Sequence, residues 1–170
     1  ATMPPSVPGV RVQTLLRKYF ANLGGVYMLG NRVTGGCIED GRLRYVETSL
    51  LPDERLEASD FVLATGSFTS DGLKSNYECV YEPIFHLDVT APADRMQWVS
   101  TSVFDDQPYL HYGVRVNALQ QVQKEGHTIS NLYAAGAVLG GHNAARLADG
   151  AGVDMVTALR VAQCILDNNH

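Results

Sequence analysis

A chain of 170 residues with 45% hydrophobic side chains can bury the core of one domain, or of a piece of a larger one. Its formal net charge of −5 at pH 7, with 13 scattered Lys and Arg residues, excludes the basic footprint of a nucleic-acid binder. No apolar run reaches the ~18 residues that a membrane span requires, and no signal-peptide pattern opens the chain.

The three cysteines, Cys37, Cys79 and Cys164, are far apart and odd in number. They fit neither a disulfide framework nor a zinc site, so no metal is expected and a reducing, cytoplasmic compartment is the simplest reading. The chain opens on Ala1, not Met, which reads as a cut inside a longer protein. Residues 2 to 9 are proline-rich and cannot be helical throughout.

A strong helix follows. Val12, Leu15, Leu16, Tyr19, Phe20 and Leu23 recur at helical spacing, and Gly24-Gly25 ends the run as a C-terminal cap. Its apolar stripe is expected to cover one face of a sheet.

Short strands come next: Val26 to Leu29, a turn at Gly30-Asn31, and Arg32 to Glu39. Asp40-Gly41 is a hairpin signal before Arg42 to Ser49. Pro52-Asp53 turns the chain into a short piece over Arg55 to Ala58, completing a β-meander. Phe61-Val-Leu-Ala-Thr-Gly66 is apolar without alternation, as expected of a strand covered on both faces in a parallel sheet.

Between Ser67 and Thr128 the pattern breaks. Gly72, Pro83, Pro92 and Pro108 punctuate a stretch dense in aromatics, including Tyr77, Tyr81, Phe85, Trp98, Phe104, Tyr109 and Tyr112. Short strands are expected around Ile84 to Val89 and Gly113 to Val116. This excursion is expected to form a lid or a substrate-facing surface.

The chain returns in Leu132 to Ala135. The run Asn131-Leu-Tyr-Ala-Ala-Gly-Ala-Val-Leu-Gly-Gly141 then reads as a strand ending in a glycine-rich loop, with a helix from about Gly152 to Asp167. A strand that ends in glycine before a helix N-terminus offers close backbone approach and unpaired N–H groups, which suit an anionic or electron-rich ligand.

Three signatures stand in a fixed order: Phe61-Val-Leu-Ala-Thr-Gly-Ser67, Leu110-His-Tyr-Gly-Val-Arg-Val-Asn117 and Asn131-Leu-Tyr-Ala-Ala-Gly-Ala-Val-Leu-Gly-Gly-His142. Together they resemble the C-terminal part of two-dinucleotide-fold flavoproteins of the fumarate reductase and succinate dehydrogenase type. Met3-Pro-Pro-Ser-Val-Pro-Gly9, Gly66-Ser-Phe68, Glu82-Pro-Ile-Phe-His-Leu-Asp88 and Gly136-Ala-Val-Leu-Gly-Gly141 narrow the likeness. They resemble the family of anaerobic glycerol-3-phosphate dehydrogenase B subunits.

The resemblance implies a mixed α/β fold, a partial FAD/NAD(P)-binding-type domain with a β-meander. Residues 8–67 and 128–170 would be flavin-domain-derived and 68–127 an inserted cap-like segment. It implies a flavin-dependent subunit that, with an A subunit, oxidises sn-glycerol 3-phosphate to dihydroxyacetone phosphate. Electrons would pass to a membrane-attached iron–sulfur C subunit and the quinone pool, leaving the protein peripheral at the cytoplasmic membrane face. FMN or FAD would be held by the intact protein.

By the same resemblance, Thr65, Gly66, Gly136, Gly140, Gly141, Gly150 and Gly152 would face the flavin. His142 and Arg146 look like the family's His-x-x-x-Arg substrate clamp, and His111 falls in its His-Tyr pattern, although Gly113-Val114 departs from it. A His can move a proton, and an Arg can hold a carboxylate or phosphate through two parallel bonds.

Two departures matter. Ala137 stands where such flavoproteins usually carry an acidic residue that holds the ribityl chain. The Gly-x-Gly-x-x-Gly run that binds pyrophosphate does not occur. The isolated chain is therefore expected to bind flavin poorly or not at all. A fumarate-reductase-like or aspartate-oxidase-like flavoprotein, and a non-catalytic electron-transfer or assembly subunit, are the alternative readings.

Overall fold

The computed structural model describes residues 6–168. Residues 2–5, and with them the start of the Met3 to Gly9 signature, lie outside that range. The chain forms two compact units, Ala1–Arg32 and Val33–His170.

In the first unit, helix α1 spans Val7–Asn22. It starts earlier than the proline-rich opening suggests, because Pro8 sits in the first turn, where a missing N–H costs nothing. Ser6 caps it by accepting from the Gly9 N–H at 3.2 Å. Gly24 adopts φ 87° and the Gly25 N–H returns to the Phe20 carbonyl at 3.0 Å, so Gly24-Gly25 does end the helix. Leu15, Leu16, Tyr19 and Phe20, which form its apolar stripe, are exposed. The strand expected over Val26 to Leu29 does not form. Those residues stand between two positive-φ glycines, Gly24 and Gly30, and pair with no strand.

The second unit opens with an antiparallel three-stranded sheet, β1 (Val33–Glu39), β2 (Arg42–Thr48) and β3 (Leu56–Glu57), in that spatial order. Asp40 and Gly41 have φ 52° and 69°, the two positive values that a type I′ hairpin turn requires. A second sheet has the order β4 (Phe61–Leu63), β10 (His127–Ala134), β9 (Gln121–Lys124). β4 runs parallel to β10, and β9 antiparallel to it. β4 is an edge strand and Val62 is exposed, so it is not covered on both faces as its composition suggests. The ladder between β9 and β10 breaks between Thr128 and Tyr133, and Gln121 Nε2 donates to the Ser130 carbonyl at 2.7 Å across the break.

Two small ribbons complete the strands: β5 (Lys74–Ser75) with β6 (Val80–Tyr81), and β7 (Val89–Thr90) with β8 (Gly113–Val114). No strand runs from Ile84 to Val89. Glu82 is fully buried, and its two carboxylate oxygens accept from the Ile84 and Phe85 N–H groups at 2.9 and 2.7 Å. Those donors are spent on a local turn, and His86 follows with φ 54°. Glu82→Gln replaces one of the two acceptor oxygens with a donor facing a buried N–H. A loss of about 1–3 kcal/mol in denaturant unfolding is expected; an unchanged midpoint would contradict the assignment.

One core joins both sheets. Leu43, Leu63, Ile129, Leu132 and Ala134 pack with Leu73, Phe85, Leu87, Tyr112, Val114 and Val122 of the aromatic-rich stretch. Helix α3 (Gly150–Asn168) closes a smaller cluster, setting Val161 and Cys164 against Tyr133 and Ala135. Among the described residues no helix is long and apolar enough to cross a membrane.

Candidate functional site

The site is built where two parallel strands end. β4 and β10 stay in register to Leu63 and Ala134, and the Ala135 N–H donates to the Leu63 carbonyl at 3.0 Å. Thr65-Gly66 and Gly136 therefore leave the sheet side by side. In open parallel sheets, ligands bind beyond the carboxyl ends of the strands. Gly66 and Gly136 turn there with φ 79° and 75°, values that a side chain strains.

Two adjoining cavities lie at this edge. One, of about 490 Å³, is lined by Thr65, Gly66, Ser70, Gly136, Ala137 and Asp154 among others. The other, of about 620 Å³, is lined by Gly136, Gly140, His142, Asp149, Gly150 and Gly152 among others. Gly136, Ala137 and Asp154 form their shared wall.

The start of α3 is fixed by bonds that the sequence does not announce. The Thr157 hydroxyl accepts from the Gly136 N–H at 2.8 Å and donates to the Val153 carbonyl at 2.7 Å. The Gly152 and Val153 N–H groups both point back to the Asp149 carbonyl, at 2.8 and 3.1 Å. Gly152 therefore does not offer the free N–H expected of it. What it offers is room: a side chain there would meet nothing within 4 Å.

The polar side chains fall into two groups. His142 Nε2 lies 2.7 Å from Asp149 Oδ1, and both line the larger cavity. His111 and Arg146 line neither cavity; they meet at Asp106 instead. His111 Nε2 is 3.1 Å from Asp106 Oδ2, and Arg146 Nη1 is 3.7 Å from Asp106 Oδ1. Asn143, buried, donates to Asp106 Oδ1 at 2.8 Å and accepts from the Arg146 N–H at 3.1 Å. That second bond caps α2 (Ala144–Leu147).

Hydrogen bonds from His111 first, then Asn143, hold the Asp106 carboxyl below its ordinary value of 3.8. A folded-state value so depressed means that this link is complete at neutral pH and is lost only as the pH falls through the lowered value.

Gly141, with φ 88°, lines neither cavity and donates its N–H to the His111 carbonyl at 2.8 Å. The other predicted glycines and His142 are thus brought together around the cavities, while Arg146 and His111 stand apart on Asp106. Asp106, Asp149, Asp154 and Thr157 carry no sequence motif, and only their positions in space single them out.

The walls suit a flavin ring and its polyol arm better than a diphosphate. Glycines leave the surface bare, and Leu110, Leu139, Val153 and Val156 add apolar lining to the larger cavity. The Thr65 hydroxyl is buried without a partner. The Asp154 carboxylate supplies an acceptor at the shared wall, next to the position where Ala137 supplies none. Among the described residues no Lys or Arg lines either cavity, so neither carries the cationic donors that a phosphate chain favours.

A family model described as "FAD binding domain" matches residues 1–153, and the chain belongs to that family. Curated relatives named as the B subunit of anaerobic glycerol-3-phosphate dehydrogenase are similar over nearly the whole chain. The Haemophilus influenzae (strain PittGG) protein is 44% identical across 97% of this chain and 39% of its own length. Those of Glaesserella parasuis serovar 5 (strain SH0165) and Actinobacillus succinogenes (strain ATCC 55618 / DSM 22257 / CCUG 43843 / 130Z) are 40% and 43% identical, covering 97% and 99% of this chain and 40% of each relative. The chain spans about two fifths of the length of these relatives. No solved structure matches it.

Proposed function

We propose that this chain forms one wall of the flavin site in a subunit of an anaerobic glycerol-3-phosphate dehydrogenase. That enzyme oxidises sn-glycerol 3-phosphate to dihydroxyacetone phosphate and passes the electrons to the quinone pool. The observation that carries the reading is the convergence of Thr65-Gly66, Gly136 and the start of α3 on two adjoining, glycine-walled cavities. The names of the similar proteins support the substrate and a multi-subunit assembly. In that assembly an A subunit is the partner, and an iron–sulfur C subunit holds the complex at the cytoplasmic membrane face.

The bound flavin, FMN or FAD, supplies a two-electron acceptor. Thr65, Gly66, Gly136, Gly140, Gly150 and Gly152 would give it backbone surface, and the Asp154 carboxylate would offer it an acceptor. Oxidation of a secondary alcohol releases a hydride equivalent and the hydroxyl proton. His142 receives that proton, and Asp149 fixes the imidazole by holding Nε2. Arg146 and His111 hold the phosphate of the substrate. The isolated 170-residue chain binds flavin weakly, because among the described residues no Lys or Arg lines either cavity to meet the cofactor's own phosphate.

The test is the intact subunit, assayed for flavin by absorbance and for oxidation of glycerol 3-phosphate with its partner subunits. Gly152→Phe places a ring in open space. It is expected to lower bound flavin at least ~10-fold with little change in the unfolding midpoint, the pattern of a blocked pocket in an intact fold. Unchanged flavin content would count against the cradle. A flavin-free intact subunit that still restores activity to its partner would favour instead the assembly reading, which Ala137 supports.

A further inference from the structure

The stretch from Asp106 to Val114 and the loop from Leu139 to Asn143 are joined at several points by short contacts. The Gly141 N–H donates to the His111 carbonyl at 2.8 Å, Val114 bridges to Leu139, and the Asn143 amide reaches Asp106. Among the described residues, Asp106 is the one whose side chain meets both candidate anion-holding groups. One oxygen takes His111, and the other takes Asn143 and Arg146.

Arg146 is held twice over: its backbone by the Asn143 cap and its guanidinium by Asp106. The side chains of Asp106, His111 and Arg146 are 44%, 39% and 62% exposed, so water screens these contacts and they add little to stability. Their effect is on direction. Two flexible side chains on separate segments are tied to one carboxylate, which lowers the entropy cost of presenting them together.

We propose that Asp106 is a positioning residue that gathers His111 and Arg146 into one anion-holding pair, through its two oxygens and the buried Asn143. The proposal rests on the reading that His111 and Arg146 hold the phosphate of the substrate. Asp106 does not touch the reacting atoms. It repels an anion directly, so its removal would improve phosphate binding if charge alone mattered; positioning requires the opposite sign.

The experiment uses the intact subunit with its partners and follows KM and kcat for glycerol 3-phosphate, with flavin content and the unfolding midpoint as controls. Asp106→Ala, Arg146→Ala and His111→Ala are each expected to raise KM roughly tenfold, with kcat changed less. The double variant Asp106→Ala/Arg146→Ala is expected to stay near that same tenfold, because Arg146 no longer acts once Asp106 is gone. Asp106→Asn keeps an acceptor for Asn143 but loses the charge that His111 and Arg146 meet. It serves as the second variant should Asp106→Ala fail to fold, and it is expected to follow Asp106→Ala. Asp106→Glu is expected to recover part of the loss.

A KM that falls or is unchanged in both Asp106 variants, while Arg146→Ala and His111→Ala raise it, overturns the role of Asp106 and leaves the substrate reading standing. Effects of Asp106→Ala and Arg146→Ala that multiply to about a hundredfold also overturn it, since independent groups multiply. Unchanged KM in Arg146→Ala and His111→Ala overturns the substrate reading itself, and the proposal with it.

Discussion

Gly113→Ala is expected to open the site and to cost about 3 kcal/mol in unfolding free energy, the upper part of the range for overpacked positions. Gly113 is buried in β8, and a methyl group there would fall on the backbone of Leu139 and Gly140. Neither segment can yield easily. The Gly141 N–H is bonded to the His111 carbonyl, Val114 bridges to Leu139, and β8 is paired to β7 on its other side. From the opposite direction, a methyl on Gly140 would come to 3.0 Å from the Gly113 nitrogen.

The Leu139-Gly140 loop must therefore move, and it forms part of the wall of the larger cavity. Flavin content should fall further than stability does. Gly35→Ala is the control: its new methyl would come no closer than 3.8 Å to Glu47, ordinary contact, and less than about 0.5 kcal/mol is expected. Thermal unfolding and flavin absorbance of the intact subunit measure both effects. Wild-type values for Gly113→Ala would show that the two segments are not packed backbone to backbone.

Asn131→Leu is expected to cost about 4 kcal/mol, since buried backbone groups left without partners lose about 1–3 kcal/mol each. Asn131 is 2% exposed. Its Oδ1 accepts from the Leu43 N–H at 2.8 Å, and its Nδ2 donates to the Leu43 carbonyl at 2.9 Å and the Ser59 carbonyl at 3.0 Å. One amide thus fastens β2, the central strand of the meander, and the Ser59 carbonyl to the central strand of the second sheet. Leucine has nearly the same shape but leaves the Leu43 N–H and carbonyl buried and unpaired. The expected signature is a lower denaturation midpoint at unchanged slope, with faster amide exchange at Leu43 than at Tyr45. A cost below about 1 kcal/mol would mean that water replaces the amide.

Asn131 also shows how the chain is and is not readable. In sequence it merely opens a glycine-rich signature; its partners stand 72 and 88 residues away. The features that could be read were local ones. Asp40-Gly41 demanded a hairpin because two adjacent positive φ angles favour those residues. Gly24-Gly25 ended α1 for a similar reason. The helix after Gly150 followed from apolar spacing, and the strand before Gly136 from a short apolar run that ends in glycine.

The expectations that failed did so where a distant or side-chain partner decided the outcome. Val26 to Leu29 is apolar enough for a strand but, among the described residues, forms no ladder. Ile84 to Val89 is equally suitable, yet Glu82 takes the Ile84 and Phe85 donors that a ladder would need. Phe61 to Leu63 pairs in parallel as its apolar run suggests, but its place at the sheet edge leaves Val62 open. No local pattern encodes an edge.

By itself, then, the sequence determined which residues could approach a ligand. Gly66, Gly136, Gly140, Gly150 and Gly152 announce bare backbone wherever they come to lie, because the absence of a side chain is a property of the residue. It also determined that Ala137 carries no carboxylate. Only the tertiary structure decided what faces that backbone. It set Asp154 at the wall that Ala137 leaves without an acceptor, Asp149 on His142, and Asp106 between His111 and Arg146. Those pairings join segments as many as 40 residues apart, and their geometry is fixed by the parallel ends of β4 and β10 and by the packing of α3. A carboxylate in sequence is only a charge; its partner, and so its chemistry, comes from the fold.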